Sequence, residues 1–135
     1  MDFSFAEINW VAVIVASLVY FFVGTLWYSP LLFANSWMQL TGKTRDDLNA
    51  NPFYFIASFF LCLIGSTALA CLFQIAGVAG FVPGLLAGVM AGLAVASALA
   101  VNFLYSGQSV QLYLITSGYH FVSFTLVGLI LAIWR

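Results

Sequence analysis

Four long apolar runs, separated by short polar or glycine-bearing breaks, set the pattern of the chain: residues 8–28, 52–75, 83–105 and 110–134. Each is long enough, wound as a helix, to cross a hydrocarbon layer about 30 Å thick. Between the first two runs the pattern changes. Leu31, Leu32, Phe33, Trp37, Met38 and Leu40 share ten residues with Asn35, Ser36 and Gln39, a segment too short to span but suited to a helix lying along the membrane surface. Ser29 and Pro30 are expected to open it, as N-cap and first helical residue, and Gly42 to end it. Thr44 to Asp47 reads as a capping box, with Asp47 for the usual Glu or Gln, and Asn51-Pro52 repeats the cap-then-proline signal before the second run. The pattern therefore predicts an all-α membrane protein: four transmembrane helices in a compact antiparallel bundle, one domain over residues 1–135, with a short interfacial helix and polar loop at 30–51. The short turn at 77–82 predicts that the second and third spans are antiparallel neighbours.

Within the third run, small residues recur every fourth position: Gly80, Gly84, Gly88, Gly92, Ala96 and Ala100. Four apart is one face of a helix, and such a stripe lets another helix bring its backbone close. The seam lies either inside one bundle or between protomers; most of it is expected to be intramolecular, with self-association through another small-residue face. Aromatic residues mark the run ends. Trp10 and Trp27 are separated by about 25 Å of helix, which suits indoles at both headgroup layers. Tyr28, Pro30, Trp37 and Trp134 complete the expected interfacial set.

Composition sharpens this picture. Of 135 residues, 64% are hydrophobic and 5% charged, against roughly a quarter charged in a soluble domain. From Asn51 to Trp134 there is no Asp, Glu, Lys or Arg. Three basic residues in all give no footprint for phosphate backbones, which excludes nucleic-acid binding. Asp2 and Glu7 precede the first run without any Lys or Arg, unlike a secretory signal, so that run is expected to be retained. Lys43 and Arg45 place the first loop in the cytoplasm by the positive-inside rule and both termini outside. Cys62 and Cys71, nine residues apart on one helix, face opposite sides and cannot pair within it.

His120 is the one side chain within the spans that changes charge near neutral pH. At helical spacing it shares a stripe with Tyr113, Thr116, Ser117 and Ser123, while the rest of that helix is largely Leu, Ile, Val and Phe. The stripe is expected to face inward. It has two readings: a proton relay or ligand contact at mid-membrane depth, or a neutral imidazole that hydrogen-bonds to a neighbouring helix. Asn102 either cross-links helices or lines a vestibule with Tyr105, Gln108 and Gln111. Gln74 is expected to be solvated. Tyr20 and Tyr119 either donate inward or contact lipid. No nucleophile with its base, phosphate loop, paired carboxylates or metal cluster is present in the pattern, so neither an enzyme, a metal nor a cofactor is expected.

Asn9-Trp10, the run Leu26-Trp27-Tyr28-Ser29-Pro30-Leu31-Leu32-Phe33, Ser36-Trp37-Met38 with Leu40 and Gly42, and Gly118-Tyr119-His120 followed by Gly128 and Trp134 together resemble the small bacterial integral membrane proteins of the domain of unknown function 1761 family. The resemblance implies a compact four-helix protein of the bacterial cytoplasmic membrane and supplies no catalytic residues. Two functions are expected from different classes. The first is a non-enzymatic packing or accessory protein that self-associates or joins a larger membrane assembly. The second is a homo-oligomeric channel or carrier for protons or a small neutral solute, lined by the stripe around His120.

Overall fold

The computed structural model describes residues 3–44, 46–47 and 51–135. Four of its helices are long and apolar enough to cross a membrane: α1 (Trp10–Trp27), α3 (Pro52–Ala76), α4 (Phe81–Ser106) and α5 (Val110–Ile133). A two-turn α2 (Ala34–Thr41) lies between the first two, and a single 3-10 turn (Phe5–Glu7) precedes α1. No strand occurs among the described residues.

Local chemistry sets the ends. Asn9 caps α1 by accepting from the Ala12 N–H at 3.1 Å, Asn51 caps α3 by accepting from Phe53 at 2.9 Å, and Ser109 caps α5 by accepting from Leu112 at 3.2 Å. Each satisfies an N–H that the first turn leaves without a partner. Gly42 closes α2 at a φ of 74°, the left-handed conformation that only glycine adopts without penalty. In the polar loop, Thr44 N–H donates to the Asp47 carboxylate at 2.8 Å and the Asp47 N–H donates to Thr44 Oγ1 at 3.4 Å, the reciprocal pairing of a capping box. Arg45 lies outside the described residues.

Ser29 acts differently from expectation. Its hydroxyl donates back to the Leu26 carbonyl at 2.6 Å, and its own carbonyl accepts from both Leu32 and Ala34. The hydroxyl thus finishes α1, and α2 begins only at Ala34, with Phe33 as a cap that makes no side-chain bond.

The packing centres on α5. Helix α1 lies against both α3 and α5, whereas α4 packs on α5 almost alone. The inner side of α1 is small: Ala12, Val13, Ala16 and Ser17 are fully buried. The expectation that α3 and α4 are neighbours fails, since the two scarcely touch despite the short turn between them. The glycine face explains why. Ideal Cβ atoms would lie 2.8 Å from the Phe124 carbonyl oxygen at Gly88 and 3.0 Å from the Phe121 ring at Gly92, and at Gly84 would collide with Ala132; on the facing helix, a Cβ on Gly128 would lie 2.7 Å from the Gly88 Cα. Two backbones this close gain dispersion contacts along their length, and α4 swings onto α5 to make them. The seam is therefore intramolecular. Its first rung is a cap instead of a contact: Gly80, at φ 93°, donates its N–H to the Ala132 carbonyl at 2.9 Å. Ala96 and Ala100 are half-buried.

The end of the bundle away from α2 is laced by polar bonds. Asn9 Nδ2 donates to the Trp134 carbonyl at 3.3 Å, and Arg135 donates to the carbonyls of Phe73 and Val78. Gln74, expected to be solvated, accepts the Ser4 N–H at 2.9 Å. The segment before α1 folds back over the end of α3 and brings that donor to it.

Candidate functional site

At the α2 end, the first turns of α3 stand away from α1 and leave a cavity of about 530 Å³. Residues spaced three and four apart on α1 form one wall: Phe21, Gly24, Thr25 and Tyr28. Tyr54, Phe55 and Ser58 of α3 form the other, Pro30 and Ala34 close the α2 side, and Tyr119 of α5 forms the floor. No lining residue carries a fixed charge.

Tyr119 reaches this position because residue 24 has no side chain. A Cβ on Gly24 would lie 2.8 Å from Tyr119 Cε2 and from its hydroxyl, so the ring lies directly across the α1 backbone. From there the Tyr119 hydroxyl donates to the Tyr20 carbonyl at 3.2 Å and stands 3.9 Å from Cys62 Sγ. The Tyr20 hydroxyl meets His120 Nδ1 at 2.6 Å. Phenol is the stronger donor of the two, which makes Nδ1 the acceptor and places the neutral ring's proton on Nε2. Ring centroids run 5.8 Å from Tyr28 to Tyr119, 5.4 Å from Tyr119 to Tyr20 and 4.7 Å from Tyr119 to His120, within the range of favourable aromatic pairs. The cavity floor is thus tied by contact and hydrogen bond to the imidazole, about 15 Å along α5 from its start.

The residues singled out from sequence do not form one path. His120 turns to α1, but Tyr113 turns to α4 and donates to the Ala96 carbonyl at 2.8 Å. Ser117 and Ser123 are buried, and Thr116 is half-buried. Ser123 and Ser66 each have a buried hydroxyl without a hydrogen-bond partner among the described residues. Asn102 is exposed, as are Tyr105, Gln108 and Gln111, and no side-chain bond of Asn102 occurs among the described residues. Among the described residues the vestibule expected of these four is not enclosed, because α4 packs almost wholly on α5.

Trp27 differs from the interfacial anchor expected of it. Its indole N–H donates to the Ile115 carbonyl at 2.8 Å, and its ring lies over Gly118, where a Cβ would be 3.0 Å from Cζ2. Trp10 is exposed, its Nε1 donating to the Phe5 carbonyl at 3.0 Å, and Trp134 caps α5 in an exposed position. Trp37 packs edge-on to Tyr28 at 6.4 Å. Sequence reasoning missed Gly24 and Gly118 as seats for aromatic rings, and Tyr54, Phe55 and Ser58 as a wall. Only the register of α1 against α3 and α5 reveals them.

The family described as "protein of unknown function (DUF1761)" matches residues 11–132. No curated protein and no solved structure matches the chain.

Proposed function

Since the chain belongs to the DUF1761 family, for which no activity is described, the geometry must carry the reading, and we propose that this is a non-catalytic membrane-embedded binding protein. Its ligand is a neutral, lipid-soluble small molecule held in the cavity between α1, α2 and α3. The observation that carries this is the cavity itself: about 530 Å³, without a fixed charge and floored by a hydrogen-bonded tyrosine. That volume is within the ordinary range of small-molecule sites, which are mostly apolar with a few placed polar groups. The absence of charge excludes anionic or cationic ligands, which need a partner when taken out of water. Lys43 in the adjoining loop favours a cytoplasmic position for this end.

The test is to purify the protein in native-lipid nanodiscs and identify co-purifying small molecules by mass spectrometry, alongside Ser58→Trp. Ser58 is exposed and its hydroxyl bonds only to its own helix, so an indole there fills the cavity without disturbing the core. A species enriched over empty nanodiscs and lost in Ser58→Trp is expected. Identical small-molecule profiles for the two proteins would refute the reading.

Self-association keeps one supporting observation. The outer face of α4, with Phe81, Leu86, Met90 and Leu93 exposed, is uncovered among the described residues, and cross-linking at Met90→Cys tests it. A proton or solute path along α5 finds no such support, since Tyr113 and His120 are bonded to different neighbours.

A further inference from the structure

The cavity's hydroxyl groups share a feature that narrows the ligand class, given the binding role proposed above. Thr25 Oγ1 donates to the Phe21 carbonyl at 3.2 Å, Ser29 Oγ to Leu26 at 2.6 Å, Ser58 Oγ to Tyr54 at 2.6 Å, and Tyr119 to Tyr20 at 3.2 Å. In each case the hydroxyl proton is engaged by a backbone carbonyl, and what remains is oxygen lone pairs. Four of the six side-chain hydroxyls lining the cavity are in this state. These four groups therefore meet a ligand as hydrogen-bond acceptors, while the Tyr28 and Tyr54 hydroxyls, without an acceptor among the described residues, can donate to a ligand oxygen. A ligand bearing only carbonyl or ether oxygens finds no complementary proton at these four groups, whereas one bearing a hydroxyl does.

The walls add a second restriction. Phe21 and Tyr28 on α1, Tyr54 and Phe55 on α3, and Tyr119 on α5 present aromatic rings from three helices. Planar rings stack and edge-pack favourably in such surroundings, and the lack of fixed charge requires the ligand's own hydroxyl to be un-ionised. We propose that the cavity takes a neutral phenolic amphiphile, an aromatic ring carrying a free hydroxyl on an apolar tail. The hydroxyl donates its one proton to Thr25 or to Ser58, on facing walls, while the ring lies among the aromatic side chains.

The experiment measures retention of radiolabelled 4-octylphenol, 4-octylanisole and 4-octylcyclohexanol by protein-loaded nanodiscs over empty nanodiscs of the same lipid. The anisole keeps the ring and loses the donor; the cyclohexanol keeps the donor and loses the flat ring. One unopposed hydrogen bond predicts that the phenol binds about fivefold tighter than the anisole. Thr25→Val and Ser58→Ala, both at exposed positions, should bring that ratio towards one. Ser58→Trp should exclude all three probes. Equal binding of phenol and anisole overturns the donor assignment, and equal binding of phenol and cyclohexanol overturns the aromatic one. Either result, with probes still excluded by Ser58→Trp, leaves the binding role standing. If no probe binds above empty nanodiscs, or Ser58→Trp excludes none, the binding role falls as well.

Discussion

Replacing Gly88 by alanine adds one methyl group at the closest approach of α4 to α5. Its Cβ would lie 2.8 Å from the Phe124 carbonyl oxygen and 3.0 Å from Thr125 Cα. Both are backbone atoms in the middle of a helix and cannot rotate aside. Restoring ordinary contact at 3.4 Å requires α4 to stand off by about 0.6 Å, and a gap of that size forfeits roughly a quarter to a half of each pairwise attraction along the seam. Overpacking of this kind costs about 1–3 kcal/mol. The alanine's better helix propensity returns about 1 kcal/mol, so a net loss of up to about 2 kcal/mol is expected. Gly65→Ala is the matched control. It is also a mid-helix glycine, but its added Cβ meets Phe124 and Tyr20 at 3.7 Å, an ordinary contact, so stability should hold or rise. Reversible unfolding in dodecylmaltoside micelles titrated with dodecyl sulfate, followed by circular dichroism, compares the two. If Gly88→Ala unfolds no earlier than Gly65→Ala, the close-approach argument is refuted.

Three further outcomes follow from named contacts. A double-mutant cycle of Tyr20→Phe and His120→Ala should give a coupling of about 0.6 kcal/mol and no more than about 1.7 kcal/mol, the range for hydrogen bonds between membrane helices; a coupling of zero would mean the 2.6 Å bond does not form. Ser66→Ala and Ser123→Ala each remove a fully buried hydroxyl without a partner, so each should leave the unfolding midpoint unchanged or raise it by up to about 1 kcal/mol of stability, and a clear loss would reveal a bond to a buried water or neighbour. The Thr44 N–H, and then its hydroxyl, hold the Asp47 carboxyl below its ordinary pKa. The loop turn is therefore strengthened above the ordinary carboxylate range and loosens as pH falls through the Asp47 value. Thr44→Ala should raise that value part of the way, since the backbone donor stays, as read from the carboxyl carbon shift by NMR.

Much of the fold was legible because each boundary has a local cause. Asn51-Pro52 opens α3 as its cap-then-proline signal predicts, and the apolar runs match the membrane in length. The stripe from Gly84 to Gly92 announced a close helix contact through periodicity alone. What it could not announce was the partner: Gly128 lies opposite Gly88 only once α4 and α5 are in register, and a four-residue turn does not oblige α3 and α4 to pack. The candidate site was less legible for the same reason. Gly24 reads as one more small residue until Tyr119 lies across it. Trp27 at a span end looks like a membrane-surface anchor until its N–H meets Ile115. Ser29 before proline carries a capping signal, but its hydroxyl turns back onto the Leu26 carbonyl, and among the described residues its oxygen accepts no N–H of α2.

That α5 touches nearly everything bears on how the protein is made. A chain delivered to the membrane from its amino end inserts α1 and α3 before α4, and these can begin to assemble, but α4 then has no surface to settle on until α5 follows it out of the ribosome. Docking of α4 is thereby deferred until α5 has been made. A ribosome stalled or terminated after Ser106 should release a nascent chain whose glycine-rich hairpin arm stays unpaired in lipid, a natural substrate for membrane quality control.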